Sequence, residues 1–101
     1  MGLDITLHRK DTPYGKDFWV NGRMRFGSIR DLMVEKHNYK YGKDLLLTKE
    51  MIIDLLNITH KNLIEADEFD MMVYANFYSD LLYVYNKMMY NNEDWYFEAT
   101  W

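Results

Sequence analysis

The residue types that usually catalyse reactions or bind metals are few in this chain and widely spaced. His8, His37 and His60 form neither an HExxH nor an HxH motif, the spacings in which two histidines bind zinc from one element. Neither Ser28 nor Ser79 lies in a GxSxG motif, and the chain has no glycine-rich phosphate loop and no cysteine. The sequence therefore predicts no catalytic residue, no metal site and no cofactor.

One alternative to this prediction is a small metal- or carboxylate-dependent enzyme that uses Asp4, His8 and Glu98. Asp4 and His8 lie in the first alternating segment of the chain and Glu98 lies in the last one. If the two segments are neighbouring strands, a buried carboxylate becomes available for metal binding or acid–base chemistry. In the simpler interpretation, Asp4 only hydrogen-bonds to a nearby loop.

Tyrosine is frequent in the C-terminal half of the chain. These side chains either belong to the core and its boundary or anchor a protein interface, where Tyr and Trp bring large contact area at small entropic cost. Single-stranded nucleic acid also stacks on aromatic rings, but it requires interleaved basic residues, and Lys87 is the only one between Tyr74 and Trp101. The tyrosines concerned are Tyr74, Tyr78, Tyr83, Tyr85, Tyr90 and Tyr96.

The two halves of the chain carry opposite net charges. Residues 1–50 contain ten basic and seven acidic residues, whereas residues 51–101 contain two and nine. The pI of about 5.2 argues against direct nucleic-acid binding, for which a pI above about 9 is typical. Acidic residues that rim a tyrosine patch would suit a basic protein partner, whereas two solvated faces of opposite charge need none. The candidate interaction residues are Asp67, Glu68, Asp70, Tyr74, Tyr78 and Tyr85.

Length and composition predict one folded domain over residues 1–101. About half of the residues are hydrophobic, only one is proline, and no apolar run approaches the roughly 18 residues of a membrane span. The segment Met1–Asp4 lacks the basic and apolar regions of a secretory signal. We therefore expect a cytoplasmic protein without a membrane partner.

Both ends of the chain show the two-residue period of a half-buried strand. One strand is expected over Leu3–His8, followed by a loop over Arg9–Asp17, and another over Trp95–Trp101. Their matching alternation predicts that the two strands share a sheet and present one apolar face to the helices. That face is predicted to contain Leu3, Ile5, Leu7, Trp95, Phe97 and Trp101.

The segment Phe18–Phe26 has two interpretations. Asn21-Gly22 is typical of a hairpin turn, but Asn21 is also a good helix cap. We favour an extended stretch over Phe18–Val20, followed by a helix over about Ser28–His37.

Two further helices follow a short apolar segment at Asp44–Leu47. Thr48 is a good N-cap for a helix whose apolar stripe is Ile52, Leu55, Leu56, Thr59 and Leu63. A turn at Ala66–Glu68 precedes a last helix over Asp70–Tyr90, which is apolar nearly all round. Such a helix is either central in its domain or covered by a second chain. Its broad face is predicted to contain Met71, Tyr74, Ala75, Tyr78, Leu81, Leu82, Tyr85, Met88 and Met89, with Phe77 and Val84 outside it.

These elements predict an α+β fold. A small antiparallel sheet that contains both terminal strands is expected to pack against about three helices.

The two ends of the chain also resemble a known family. Residues 1–7, MGLDITL, and residues 95–101, WYFEATW, are similar to the ends of small phage and bacterial proteins of unknown function, which begin MGLDMYL and finish in an aromatic strand closing on Ser-Trp. The middle of the chain lacks that family's aromatic-Gly-Ser and Tyr-rich segment before the last helix. The resemblance implies a phage or prophage origin and carries no activity or site residue.

The function expected from these observations is that of a small non-catalytic interaction protein. It would be encoded by a phage or prophage and would bind, and thereby inhibit, a host protein such as a defence or nucleic-acid enzyme, in the host cytoplasm. The alternatives are the enzyme at Asp4, His8 and Glu98, and a structural accessory protein that pairs with a second copy as a homodimer.

Overall fold

The computed structural model describes residues 3–9, the backbone of residues 18–21, and residues 26–101. These residues form four strands and three helices, which confirms the predicted α+β fold. In chain order they are β1 (Asp4–His8), β2 (Phe18–Asn21), α1 (Gly27–His37), β3 (Leu45–Leu46), α2 (Lys49–Glu65), α3 (Glu68–Tyr90) and β4 (Tyr96–Thr100).

The sheet is antiparallel with strand order β2-β1-β4-β3, so β1 and β4 are its two central strands. Ile5 pairs with Ala99, and Leu7 pairs with Phe97. Because side chains alternate along a strand, this register turns Ile5 and Leu7 of β1 and Phe97 and Ala99 of β4 to the same face. The prediction that the terminal strands share a sheet is confirmed. The buried residues of this inner face are Leu3, Ile5, Leu7, Trp95, Phe97 and Ala99.

Local signals set the helix boundaries. The Thr48 hydroxyl accepts a hydrogen bond from the Met51 amide at 3.2 Å, as expected for the N-cap of α2. The Asp67 carboxylate caps α3 in the same way and accepts from the Asp70 amide at 2.8 Å, so α3 begins two residues before its predicted start. The helices form one core with the inner face of the sheet through Phe26, Ile29, Met33, Ile52, Leu55, Phe77, Leu81 and Val84.

The structure corrects the predicted burial of α3. Its buried residues are Tyr74, Phe77, Leu81 and Val84, whereas Phe77 and Val84 were predicted to lie outside the main face. Apolar residues occur on all sides of α3, so their spacing in the sequence does not indicate which side is buried. The sheet decides which side of α3 is buried.

The predicted burial of Trp101 is also wrong. Trp101 follows the end of β4, and its side chain is 38% exposed. It contacts the Tyr41 ring edge-on at 5.0 Å and lies 5.5 Å from the Arg30 guanidinium. Trp101 therefore packs at the rim of the sheet.

The favoured interpretation of residues 18–26 agrees with the described elements. β2 ends at Asn21 and α1 begins at Gly27, so Asn21 does not cap α1. The turn proposed at Asn21-Gly22 and most of the loop over Arg9–Asp17 lie outside the described residues.

Tyr39 completes the edge of β4 beyond the short strand β3. Its hydroxyl accepts from the Ala99 amide at 2.6 Å and donates to the Lys43 carbonyl at 2.7 Å. The Gly42 amide donates to the Ala99 carbonyl at 2.9 Å from a turn where Gly42 has φ of +70°, a conformation that favours glycine. Burial raises the pKa of the Tyr39 phenol, which therefore stays protonated. The backbone groups of Ala99 are satisfied without a long edge strand.

Asp54 connects α1 to α2. Its carboxylate accepts from His37 at 2.8 Å and from the Lys36 ammonium at 2.9 Å. Burial alone would raise the pKa of Asp54, but the hydrogen bonds and charges of Lys36 and His37 outweigh it and lower the pKa. The ionised form of Asp54 therefore stabilises the packing of α1 on α2.

Truncation of Trp95 should destabilise the protein strongly. The indole is buried in the inner face and its Nε1 donates to Glu93 at 3.1 Å, so Trp95→Ala leaves a large cavity. We expect a loss of about 3–5 kcal/mol in the free energy of unfolding, measured with urea. The more exposed Trp101→Ala is the control and should cost less than half as much. Equal losses would contradict the described core.

The stabilisation of the fold by Asp54 should decrease as the pH falls. Because its pKa is lowered on folding, the stabilisation is present above the unfolded pKa of about 4 and is lost as the pH falls through the folded value. At pH 7 we expect Asp54→Asn to cost about 1–3 kcal/mol of unfolding free energy, and less at pH 3. Asp31→Asn, which removes an exposed carboxylate, should cost under about 1 kcal/mol. If the unfolding free energy lost by Asp54→Asn were larger at pH 3 than at pH 7, ionised Asp54 would not be the stabilising form.

Candidate functional site

Asp4, His8 and Glu98 all lie on the outer face of the sheet, opposite the core. Glu98 pairs with Thr6 of β1, so it is diagonal to both other residues. His8 nevertheless bonds elsewhere, with its Nε2 3.0 Å from Asp44 Oδ1 and its ring stacked on Tyr96. One carboxylate oxygen of Asp4 is buried and has no hydrogen-bond partner among the described residues. The three residues share a face without forming a bonded cluster.

The described residues contain no group of three or more His, Asp or Glu side chains arranged to hold a metal ion. In the same part of the chain, no helix is long and apolar enough to cross a bilayer.

The structure divides the six candidate interaction residues between core and surface. Tyr74 is buried, with 7% of its surface exposed, and its ring meets Phe26 edge-on at 5.2 Å. Tyr74 is therefore a core residue and the interpretation as an exposed anchor is wrong for it. Tyr78 and Tyr85 are half-buried, so they border the surface. The tyrosines do not form the exposed cluster that their number suggests.

The acidic candidates lie together where α2 meets α3. We call Glu65, Asp67, Glu68 and Asp70 the acidic corner. Three of them line an open depression of about 260 Å³, whose other walls are Asn62, Ala66 and Tyr74. The amide nitrogen of Asn62 donates to the Ser28 hydroxyl at 2.8 Å. The charged side chains that line this depression are all carboxylates.

After the acidic corner, the exposed residues of α3 carry no charge over about four helical turns. We call these exposed residues the α3 outer face: Met71, Met72, Ala75, Asn76, Ser79, Leu82, Tyr83 and Asn86.

The other two helices differ in this respect. The exposed residues of α1 include Asp31, Glu35 and Lys36, and those of α2 include Glu50 and Lys61. Surface helices normally have charged residues opposite their apolar stripe. An uncharged exposed side is therefore a property of α3 alone among the three described helices.

Asp80 is the only acidic or basic residue between Asp70 and Lys87. It is half-buried at the border of the α3 outer face, and this burial raises its pKa. The surroundings of Asp80 thus disfavour even this one charge.

Three large apolar side chains that are close to the acidic corner in sequence are strongly exposed. Met72 is 67% exposed, and Ile64 and Phe69 are each 66% exposed. Sequence reasoning predicted an over-apolar helix but did not single out these three residues. The signal that could have found the face is the long gap in charge between Asp70 and Lys87.

No protein-family model matches this chain, and no curated protein and no solved structure matches it either.

Asp67 should have a structural role that is separable from its charge. Asp67→Ala removes the cap of α3 and should cost about 1 kcal/mol of unfolding free energy. Asp67→Asn keeps a side-chain acceptor and should cost a few tenths of a kcal/mol at most. Thermal unfolding of both variants measures the difference. Equal destabilisation by the two substitutions would show that charge, rather than capping, is what Asp67 supplies.

Proposed function

We propose that this chain is a small non-catalytic interaction protein that binds another protein through the α3 outer face. The observation that carries the proposal is the run of eight exposed, uncharged residues on α3. Water solvates an exposed helix side best when it carries charged groups, and contiguous apolar surface on a folded protein typically marks a partner site. The neighbouring helices, which do carry exposed charges, provide the internal comparison.

The composition of the α3 outer face also supports protein binding. Interface cores are depleted in charge and enriched in Met and aromatic residues, and this face contains Met71, Met72 and Tyr83. Methionine adapts its shape to a partner, while Tyr83 offers a large ring with few rotatable bonds. Half-buried Tyr78 and Tyr85 lie on the same helix and border the face.

The proposed partner is a host protein, and the proposed origin of the chain is a phage or prophage. The origin rests on the resemblance of residues 1–7 and 95–101 to small phage and bacterial proteins. The net charge of −4 favours the encounter of this chain with a basic partner, such as a defence or nucleic-acid enzyme that it would inhibit.

A charge placed in the α3 outer face should abolish partner binding without unfolding the chain. Leu82 is 40% exposed, so Leu82→Glu inserts a carboxylate into the face at little cost in stability. The matched control is Val34→Glu on α1, because Val34 is 37% exposed. Used as bait in an extract of the host, the wild type and Val34→Glu should retain a partner that Leu82→Glu does not. A partner retained equally by all three would place binding elsewhere.

A further inference from the structure

Methionine is the only sulfur-containing residue type in this chain. The sequence has eight methionines and no cysteine, so no thiol competes with the thioethers for an oxidant. The structure describes six of the eight, and they differ widely in exposure. Exposure therefore decides which of the six an oxidant in solution reaches first. The six are Met33, Met51, Met71, Met72, Met88 and Met89.

The two exposed methionines among these six are neighbours on the α3 outer face. Met72 is 67% exposed and Met71 is 43% exposed, whereas Met33 is buried in the core. The other three methionines are half-buried. Within the described part of the chain, an oxidant therefore reaches the α3 outer face before it reaches any other methionine.

Met72 lies on the middle line of the α3 outer face. Ser79 and Tyr83 follow it by seven and eleven residues, a spacing that places all three on one side of a helix. Successive residues of a helix lie about 100° apart around its axis, so Met71 is at the border of the face. A partner that covers this face therefore contacts Met72 centrally and Met71 at its edge.

Oxidation changes the chemical character of the face at its middle line. The thioether sulfur attacks hydrogen peroxide, the O–O bond breaks, one oxygen atom is transferred to sulfur, and the other leaves as water. The sulfoxide that forms is polar, whereas the thioether is apolar and flexible. Its oxygen accepts hydrogen bonds from water in the free chain. An apolar contact with a partner removes that water and supplies no donor, which opposes binding.

We propose that Met72 is a site of reversible oxidation that controls whether the α3 outer face binds its partner protein, an inference that rests on the proposed function. The thioether packs against the partner, and the sulfoxide prevents binding. A bound partner covers Met72, so the oxidant acts on the free chain. The reverse step uses a dithiol-dependent methionine sulfoxide reductase, whose dithiol becomes a disulfide while the sulfoxide oxygen leaves as water.

The experiment compares the wild type with Met72→Leu, which keeps the size and apolar character of the side chain but cannot form a sulfoxide. Both full chains are treated with limiting hydrogen peroxide, and peptide mass spectrometry gives the oxidation rate of each methionine. In the wild type we expect Met72 to react faster than the other five described methionines. The free energy of unfolding in urea should be unchanged, because this exposed side chain lies outside the core.

Partner binding is then measured with each chain, untreated and treated, as bait over a range of concentrations in an extract of the host. The treated wild type should bind the partner about tenfold more weakly than the untreated wild type, whereas Met72→Leu should bind equally well before and after treatment. Incubation of the treated wild type with methionine sulfoxide reductases for both sulfoxide epimers should restore binding. Met71→Leu is the matched control and should lose binding on treatment as the wild type does.

Three results would overturn the assignment of Met72 as an oxidation site that controls binding. These are faster oxidation of another described methionine, equal binding by the treated and untreated wild type, and equal loss of binding by treated Met72→Leu. If the untreated wild type retains no partner that Leu82→Glu loses, the proposed function is refuted and the role of Met72 with it. A partner that is lost with Leu82→Glu but retained by the oxidised wild type would leave the proposed function standing and refute only the role of Met72.

Discussion

The antiparallel pairing of β1 with β4 is the interaction on which the rest of the structure depends. It joins the two ends of the described chain at the centre of the sheet, with Leu7 opposite Phe97 and Ile5 opposite Ala99. This register turns Ile5, Leu7, Phe97 and Ala99 to one face, whereas a shift by one residue would turn the apolar set of the shifted strand outward. Every described helix contributes buried side chains to the core built on that face.

A single inner face also limits what the helices can bury. Tyr74, Phe77, Leu81 and Val84 occupy the side of α3 that meets the core, and the sheet cannot cover the opposite side as well. The apolar and small residues of the α3 outer face therefore remain exposed. The functional proposal follows from this limit, since the same helix has more uncharged surface than one sheet can bury.

Local patterns in the sequence were sufficient to identify the two terminal strands and the start of α2, but not to orient α3. Alternation identified β1 and β4, and the hydroxyl of Thr48 marked the start of α2. The orientation of α3 was not predictable, because apolar residues lie on all sides of the helix and only the tertiary contacts choose among them. The burial of Phe77 and Val84 was missed for this reason. The contacts of Tyr39 with Ala99 were missed because they join residues that are distant in sequence. Of the candidate interaction residues, Tyr74 lies on the buried side of α3.

Methionine oxidation provides a direct measurement of whether a partner covers the α3 outer face in an extract of the host. Met72 is largely exposed in the free chain, whereas Met33 is buried in the core and serves as an internal reference. In the purified protein, peroxide should oxidise Met72 much faster than Met33. In an extract of the host, with the chain below the concentration of its partner, we predict that Met72 becomes nearly as slow as Met33. An oxidation rate of Met72 that is the same in the extract and in buffer would contradict the account.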